Sequence, residues 1–155
     1  MQRKMILTAS LAALMGAATL AQADSGRLAS ERLDEVLALT GNFGFQTYEE
    51  IEVKRRDRVE VEGWLDDEWQ AEVRFDLASG ESLKEERNKR DGGAWGLSEA
   101  EVRDAMAVAV AEGLAEFEEL QVDRDGRVEI EGYHADGREL EVQSRGGELL
   151  EVEHD

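Results

Sequence analysis

The sequence predicts an α+β protein made of two tandem repeats, each a helix packed on a three- to four-stranded antiparallel sheet. The first observation is a phrase used twice: RVEVEGW at residues 58–64 and RVEIEGY at residues 127–133. The second is how far the copy extends. A shift of 69 positions puts Gly44 on Gly113, Tyr48 on Phe117, Ile51 on Leu120, Val53 on Val122, Asp67 on Asp136 and Glu72-Val73 on Glu141-Val142. A two-residue deletion then brings Gly80-Glu81 onto Gly147-Glu148 and Leu83 onto Leu150. Self-similarity at a fixed offset is the signature of an internal duplication. The third observation is a change of hydrophobic period inside each copy, from 3.6 to 2.

Residues 1–23 read as a signal peptide. Arg3 and Lys4 precede the apolar run MILTASLAALMGAATL, and Ala21-Gln22-Ala23 offers the small residues of a cleavage site. The run is about 16 residues, short of the roughly 20 that a membrane span needs. The expectation is a periplasmic or secreted chain that starts at Asp24 and has no membrane span after cleavage.

Residues 24–87 form the first repeat. Ala29, Leu33, Val36, Leu37 and Thr40 fall on one helical face, with Gly41 or Gly44 as the stop. Ile51 and Val53, then Val59 and Val61, then Trp69, Ala71, Val73 and Phe75 alternate with polar residues, as in strands that bury one face. A short last strand carries Leu83. Residues 88–96, NKRDGGAWG, are a polar, glycine-rich connector.

Residues 97–155 form the second repeat. Ser98 and Glu101 make an S-x-x-E capping box, with Leu97 and Val102 placed for the hydrophobic staple. Val102, Ala105, Met106, Ala109 and Val110 make the helical stripe, and Gly113 ends it. Leu120 and Val122, Val128 and Ile130, and Leu140 and Val142 supply the alternation, with turns at Asp125-Gly126 and Asp136-Gly137. A last strand carries Leu150 and Val152. A unit of about 60 residues is marginal alone, so the two halves are expected to pack together.

The formal net charge is −19 and there is no cysteine. Such a field repels nucleic acid and anionic lipid surfaces. Without cysteine there is no disulfide framework, no thiolate metal ligand and no cysteine nucleophile. The acidity fits a solubility adaptation, and the alternative is a protein that attracts cations, calcium among them.

The amphipathic helix ending in glycine, the I-E-V and V-E-V-E-G strands, D-G-R-E-L-E-V and the closing G-E-L-L-E-V together resemble the PepSY domain. The likeness is fullest over Leu120–Val152 and looser in the first copy, where Asp57 replaces a turn glycine and Glu68 stands at the place of Gly137. The resemblance implies a tandem, non-catalytic module of a class found in secreted metallopeptidase propeptides and in envelope proteins, regarded as inhibitory or protein-binding. The partner it implies is a secreted or envelope protein such as a peptidase. It carries no catalytic motif and no cofactor. A propeptide role lacks support, because no peptidase domain follows in this sequence and H-E-x-x-H does not occur.

Paired-acid catalysis needs one carboxyl desolvated and its pKa raised, and Glu60, Glu62 and Glu72 fall on the wet side of their strands. Asp123-Arg124-Asp125-Gly126 suggests a calcium loop, but with Gly126 as its sixth residue the twelfth is Gly132, not a glutamate. A hairpin turn is the better reading. His134 and His154 have no ligand partner at helical spacing and are expected at a turn and at the terminus. Trp64 and Tyr133 each follow a strand-ending glycine and fall out of phase with the buried series, on the face opposite the helices. With Trp69 and Trp95 they are the candidate site, either a partner-docking surface or the seam between the repeats. Gly63 and Gly132 are expected to let a neighbouring backbone approach closely.

Overall fold

The computed structural model describes residues 26–55 and 57–155, so the expected signal peptide lies outside the described residues. Leu28–Ala29 form a short strand, β1, and Ser30–Arg32 a single 3₁₀ turn. Helix α1 (Leu33–Phe43) is followed by β2 (Thr47–Arg55), β3 (Arg58–Trp64), β4 (Trp69–Asp76) and β5 (Ser82–Lys89). Helix α2 (Glu99–Ala111) is followed by β6 (Leu114–Val122), β7 (Arg127–His134), β8 (Glu139–Arg145) and β9 (Glu148–His154). All strands join one antiparallel sheet in the order β5-β4-β3-β2-β6-β7-β8-β9, with β1 paired to β6. This is a mixed helix-and-sheet architecture, and the two runs of strands meet where β2 pairs β6.

The alternating sequence dictates which face is dry. Ile51, Val53, Val59, Val61, Val73, Phe75, Leu120, Val128, Ile130 and Val142 are all buried, and they pack with Val36, Leu37, Val102, Ala105 and Ala109 of the helices in one core. The helices therefore cover one side of the sheet, and the glutamates between the buried positions point to the other. Helix α2 begins as its sequence dictates: the Ser98 side chain accepts from Glu101 N–H while the Glu101 carboxylate accepts from Ser98 N–H. Helix α1 ends at Gly44, whose φ of 124° only glycine adopts freely. Thr40, on the buried stripe of α1, spends its hydroxyl on the Val36 carbonyl and on the Tyr48 hydroxyl at 2.8 Å.

Several expectations need correction. Ala29 belongs to β1 and not to the first helix, which starts at Leu33. Val110 is exposed. It sits roughly 80° around α2 from Val102, outside the buried stripe of Val102, Ala105, Met106 and Ala109. Trp69 opens β4 at the margin of the core and is 39% exposed. Leu83, Leu149 and Leu150 are also exposed, because β5 and β9 are the two edges of the sheet. His134 and His154 are partners after all. The β7-β8-β9 registers stack their rings, with Nε2 of one 3.1 Å from Nδ1 of the other.

Candidate functional site

The outer face of the sheet carries the repeated phrase, and each copy sets a bulged glutamate opposite its glycine and buries the aromatic that follows. In the first half the β2–β3 register slips between Tyr48 and Glu50, leaving Glu49 as the extra residue of a β-bulge opposite Gly63. A bulge re-aims a side chain, and here it turns Glu49 onto the aromatic that follows the glycine. Glu49 is only 6% exposed and accepts hydrogen bonds from Trp64 Nε1 and from Gln70 Nε2, the latter at 2.8 Å. Arg90, from the connector, donates to Gln70 Oε1 at 2.9 Å. In the second half the slip recurs between Phe117 and Glu119, so Glu118 is the extra residue opposite Gly132. There Tyr133 takes the place of Trp64, and Arg27 lies over its ring at 3.2 Å from the centroid. Burial, and then the Glu118 carboxylate, push the Tyr133 hydroxyl above its ordinary pKa.

The glycine of the phrase is a steric requirement. A Cβ on Gly63 would lie 2.1 Å from the Thr47 carbonyl oxygen, and one on Gly132 would lie 2.1 Å from the Glu116 carbonyl oxygen. Both distances are far inside van der Waals contact, so the bulge and the glycine come as a pair.

Trp64 is 3% and Tyr133 8% exposed, each covered by a segment from outside its own strands. The connector covers Trp64. Trp64, Gln70, Arg90, Gly93, Trp95 and Arg124 line a common cavity of about 390 Å³, in which Trp95 lies under the Arg124 guanidinium. Tyr133 borders a second cavity of about 240 Å³ with Glu118, Glu131, Glu139 and Glu153. Of the four candidate aromatics, the fold thus brings Trp64 and Trp95 together. Tyr133 stands apart, since β2 and β6 separate its strand from that of Trp64, and Trp69 lies exposed at the head of β4.

Between the two devices runs a field of carboxylates, and the halves differ in how they treat it. On the first half Glu60 is held by Lys54 at 3.1 Å and Arg74 at 2.6 Å, while Glu72 is held by Lys84 at 2.9 Å. Burial opposes ionisation of Glu60, but the bonds from Lys54 and Arg74 outweigh it and bring its pKa below the usual range. The second half has Asp123, Gln143 and Glu151 at the positions of Lys54, Arg74 and Lys84, and Gln143 pairs with Glu151 across β8–β9 as Arg74 pairs with Lys84 across β4–β5. Glu119, Glu129 and Glu131 have raised pKa values, first from partial burial and then from neighbouring glutamates, as do Glu50 and Glu62 on the first half. Glu129, Glu131 and Glu141 bring one carboxylate oxygen each within 4.8 Å of one another, a spacing that can hold a cation. By contrast, the Asp123–Gly126 segment closes as a hairpin turn, with the Asp123 and Asp125 carboxylates on Arg127 and Arg145.

Sequence reading placed Trp64 and Tyr133 on the outer face but missed Glu49, Glu118, Arg27 and Arg90. The only signal for the glutamates was an unbroken Glu49-Glu50 or Glu118-Glu119 pair inside an alternating strand. Among the described residues no helix is long and apolar enough to cross a membrane. No curated protein matches the chain. A crystal structure of a protein described as a lipoprotein from Clostridium difficile 630 aligns with a TM-score of 0.46 at 19% identity, over 79% of this chain and 91% of that one. Residues 5–86, just over half of the sequence, match a family described as Peptidase propeptide and YPEB domain. The helix followed by antiparallel strands over that range agrees with this match, and the chain belongs to the PepSY family.

Proposed function

We propose that the protein is a non-catalytic, exported module of two PepSY-type units, residues 24–87 and 97–155 joined by 88–96, whose outer sheet face docks a protein partner. A secreted or envelope peptidase is the partner class that the family description favours. The observation that carries this reading is the outer face itself. It is broad and, among the described residues, free of helices, and it holds a buried aromatic beside a bulged glutamate at two places, Trp64 bonded to Glu49 and Tyr133 under Arg27. Trp64 and Tyr133 are themselves buried, so the surface left for a partner is the field of exposed and half-exposed glutamates between them. The glutamates lie on an open sheet surface and not in an enclosed apolar pocket, which suits recognition better than acid catalysis.

The test compares capture from a periplasmic extract by the chain from Asp24 onward and by two charge-reversed variants. Glu129→Lys with Glu131→Lys alters the outer face, and Asp104→Lys alters the exposed side of α2. The reading expects a captured protein that is lost with the face variant and kept with the helix variant. Equal capture by all three sinks it. Calorimetric titration with calcium addresses the alternative of an acidic cation-binding protein: saturable binding lost in the face variant, without any partner, favours that alternative.

A further inference from the structure

We infer that the sheet is a two-fold pair of like units closed into one chain, in which the arm ahead of each helix is exchanged onto the other unit. This builds on the two-unit reading above, but it needs no docking partner. Its first support is the register at the centre of the sheet. Strand β2 meets β6 through Glu50–Gln121, Ile51–Leu120 and Glu52–Glu119. Under the 69-residue shift Ile51 is the counterpart of Leu120, Glu50 of Glu119, and Glu52 of Gln121. The pairing is therefore symmetric about Ile51–Leu120, as an isologous two-fold contact must be: residue i meets j, and j meets i.

The second support lies at both ends of that pairing. Leu28 pairs with Phe117, so the arm ahead of α1 lies on the first strand of the second half. Leu97 pairs with Tyr48, with both backbone bonds formed at 2.8 and 2.9 Å, so the arm ahead of α2 lies on the first strand of the first half. Leu28 and Leu97 are counterparts, as are Tyr48 and Phe117. Each half therefore lends its arm and receives the other's, and all four side chains are buried in the shared core. Glycine makes room for the second arm, where a Cβ on Gly96 would lie 2.3 Å from the Tyr48 carbonyl oxygen.

The third support is a contact made by counterparts with each other. Arg103 of α2 donates to Asp34 of α1 at 2.8 Å, and 34 and 103 are the same position in the two copies. A residue meets its own counterpart only on a two-fold axis. The helix pair, the central strand pair and the two arms thus all obey one operation. The edge of β2 or β6 is in these terms the surface through which one such unit takes another.

The chain lacks cysteine, which permits a clean test. Paired residues on antiparallel strands have Cα atoms about 4.5–5.5 Å apart, within disulfide range. A protease recognition sequence is inserted between Gly92 and Gly93, where the backbone is exposed and a Cβ meets nothing within 4 Å. Three double variants are made in this full chain: Ala29→Cys with Glu116→Cys, Glu52→Cys with Glu119→Cys, and the control Ala29→Cys with Thr47→Cys. None of these positions is fully buried, and circular dichroism checks that each variant is folded. After oxidation and cutting, the first two should run as one band without reductant, and the control should separate into its fragments and keep both thiols. A cross-link yield at least tenfold higher for Ala29/Glu116 than for Ala29/Thr47 is expected. The reverse ratio would show that each arm lies on its own unit and would overturn the exchange. Cut protein without cysteines should elute at the size of the intact chain, and separation into fragments would overturn the paired-unit interface. Loss of partner capture leaves these outcomes untouched, so the two proposals fail separately.

Discussion

Replacing Gly63 by alanine should damage the protein far more than its chemistry suggests, and replacing Gly41 the same way should do the opposite. At Gly63 the new methyl would sit 2.1 Å from the Thr47 carbonyl oxygen, so β2 and β3 must part by about an ångström to restore contact distance. Forcing a methyl into a filled space costs about 1–3 kcal/mol. Straightening the bulge would also withdraw Glu49 from Trp64 and Gln70, and a buried group losing its hydrogen bonds costs about 1–3 kcal/mol more. The contributions overlap, so a net loss of about 3 kcal/mol is expected, which lowers Tm by roughly 10 °C in a domain of this size. Gly41 lies inside α1 on its exposed side, and the nearest atom to a Cβ there is Glu99 Oε2 at 3.6 Å. Alanine at this site should stabilise by about 0.5–1 kcal/mol through helix propensity. Urea denaturation of the two variants beside the parent measures both. A Gly63→Ala midpoint equal to the parent's would refute the close approach and, with it, the account of why the phrase ends in glycine. Gly132→Ala should behave like Gly63→Ala, since its carbonyl neighbour stands at the same distance.

Val73→Asp or Val142→Asp places a charge among fully buried apolar neighbours and should cost several kcal/mol, read by thermal melting. Trp64→Phe keeps the ring but removes the donor to buried Glu49, and should cost about 1.5–3 kcal/mol, with a smaller loss in the double variant Trp64→Phe, Glu49→Gln. Stability should also depend on pH in an unusual direction. Glu50, Glu62, Glu119, Glu129 and Glu131 have folded pKa values above the ordinary glutamate value, so the folded chain binds more protons than the unfolded chain in the upper carboxylate range. Stability therefore rises as pH falls from neutral into that range. It declines again at lower pH, where Glu60, Asp125 and Asp136, all with lowered pKa values, lose their ion pairs and hydrogen bonds. Urea midpoints from pH 7 downward should pass through a maximum, and a monotonic fall would contradict the assignment.

Alternation and capping made most of the fold legible in the sequence. Val59-Val61 and Val128-Ile130 announced their buried phase, and Ser98 with Glu101 announced the start of α2 to the residue. What escaped depended on contacts that no local period encodes. The bulges at Glu49 and Glu118 break the alternation by one residue, and only the opposing glycine explains them. Arg27 reaches Tyr133, and Arg90 reaches Gln70, from segments that read as plain polar sequence. The pairing of Leu28 with Phe117 and of Leu97 with Tyr48 was hidden because a repeated sequence does not say which strand a segment lies on. His134 and His154 met through the register of three strands, a long-range consequence of the β8–β9 pairing.

The ion pair between Asp34 and Arg103 has a consequence for the history open to such a chain. Two identical units meeting on an axis would set aspartate against aspartate there, or arginine against arginine. On the two-unit proposal, opposite charges at one shared position require the two copies to have become different sequences. After that change a half meets its mismatched sister more favourably than it meets a duplicate of itself. Lys54, Arg74 and Lys84 against Asp123, Gln143 and Glu151 show the same divergence on the outer face. Covalent joining thus acts as a ratchet: it frees each copy to mutate alone, and every complementary difference that accumulates makes the way back to two interchangeable subunits steeper.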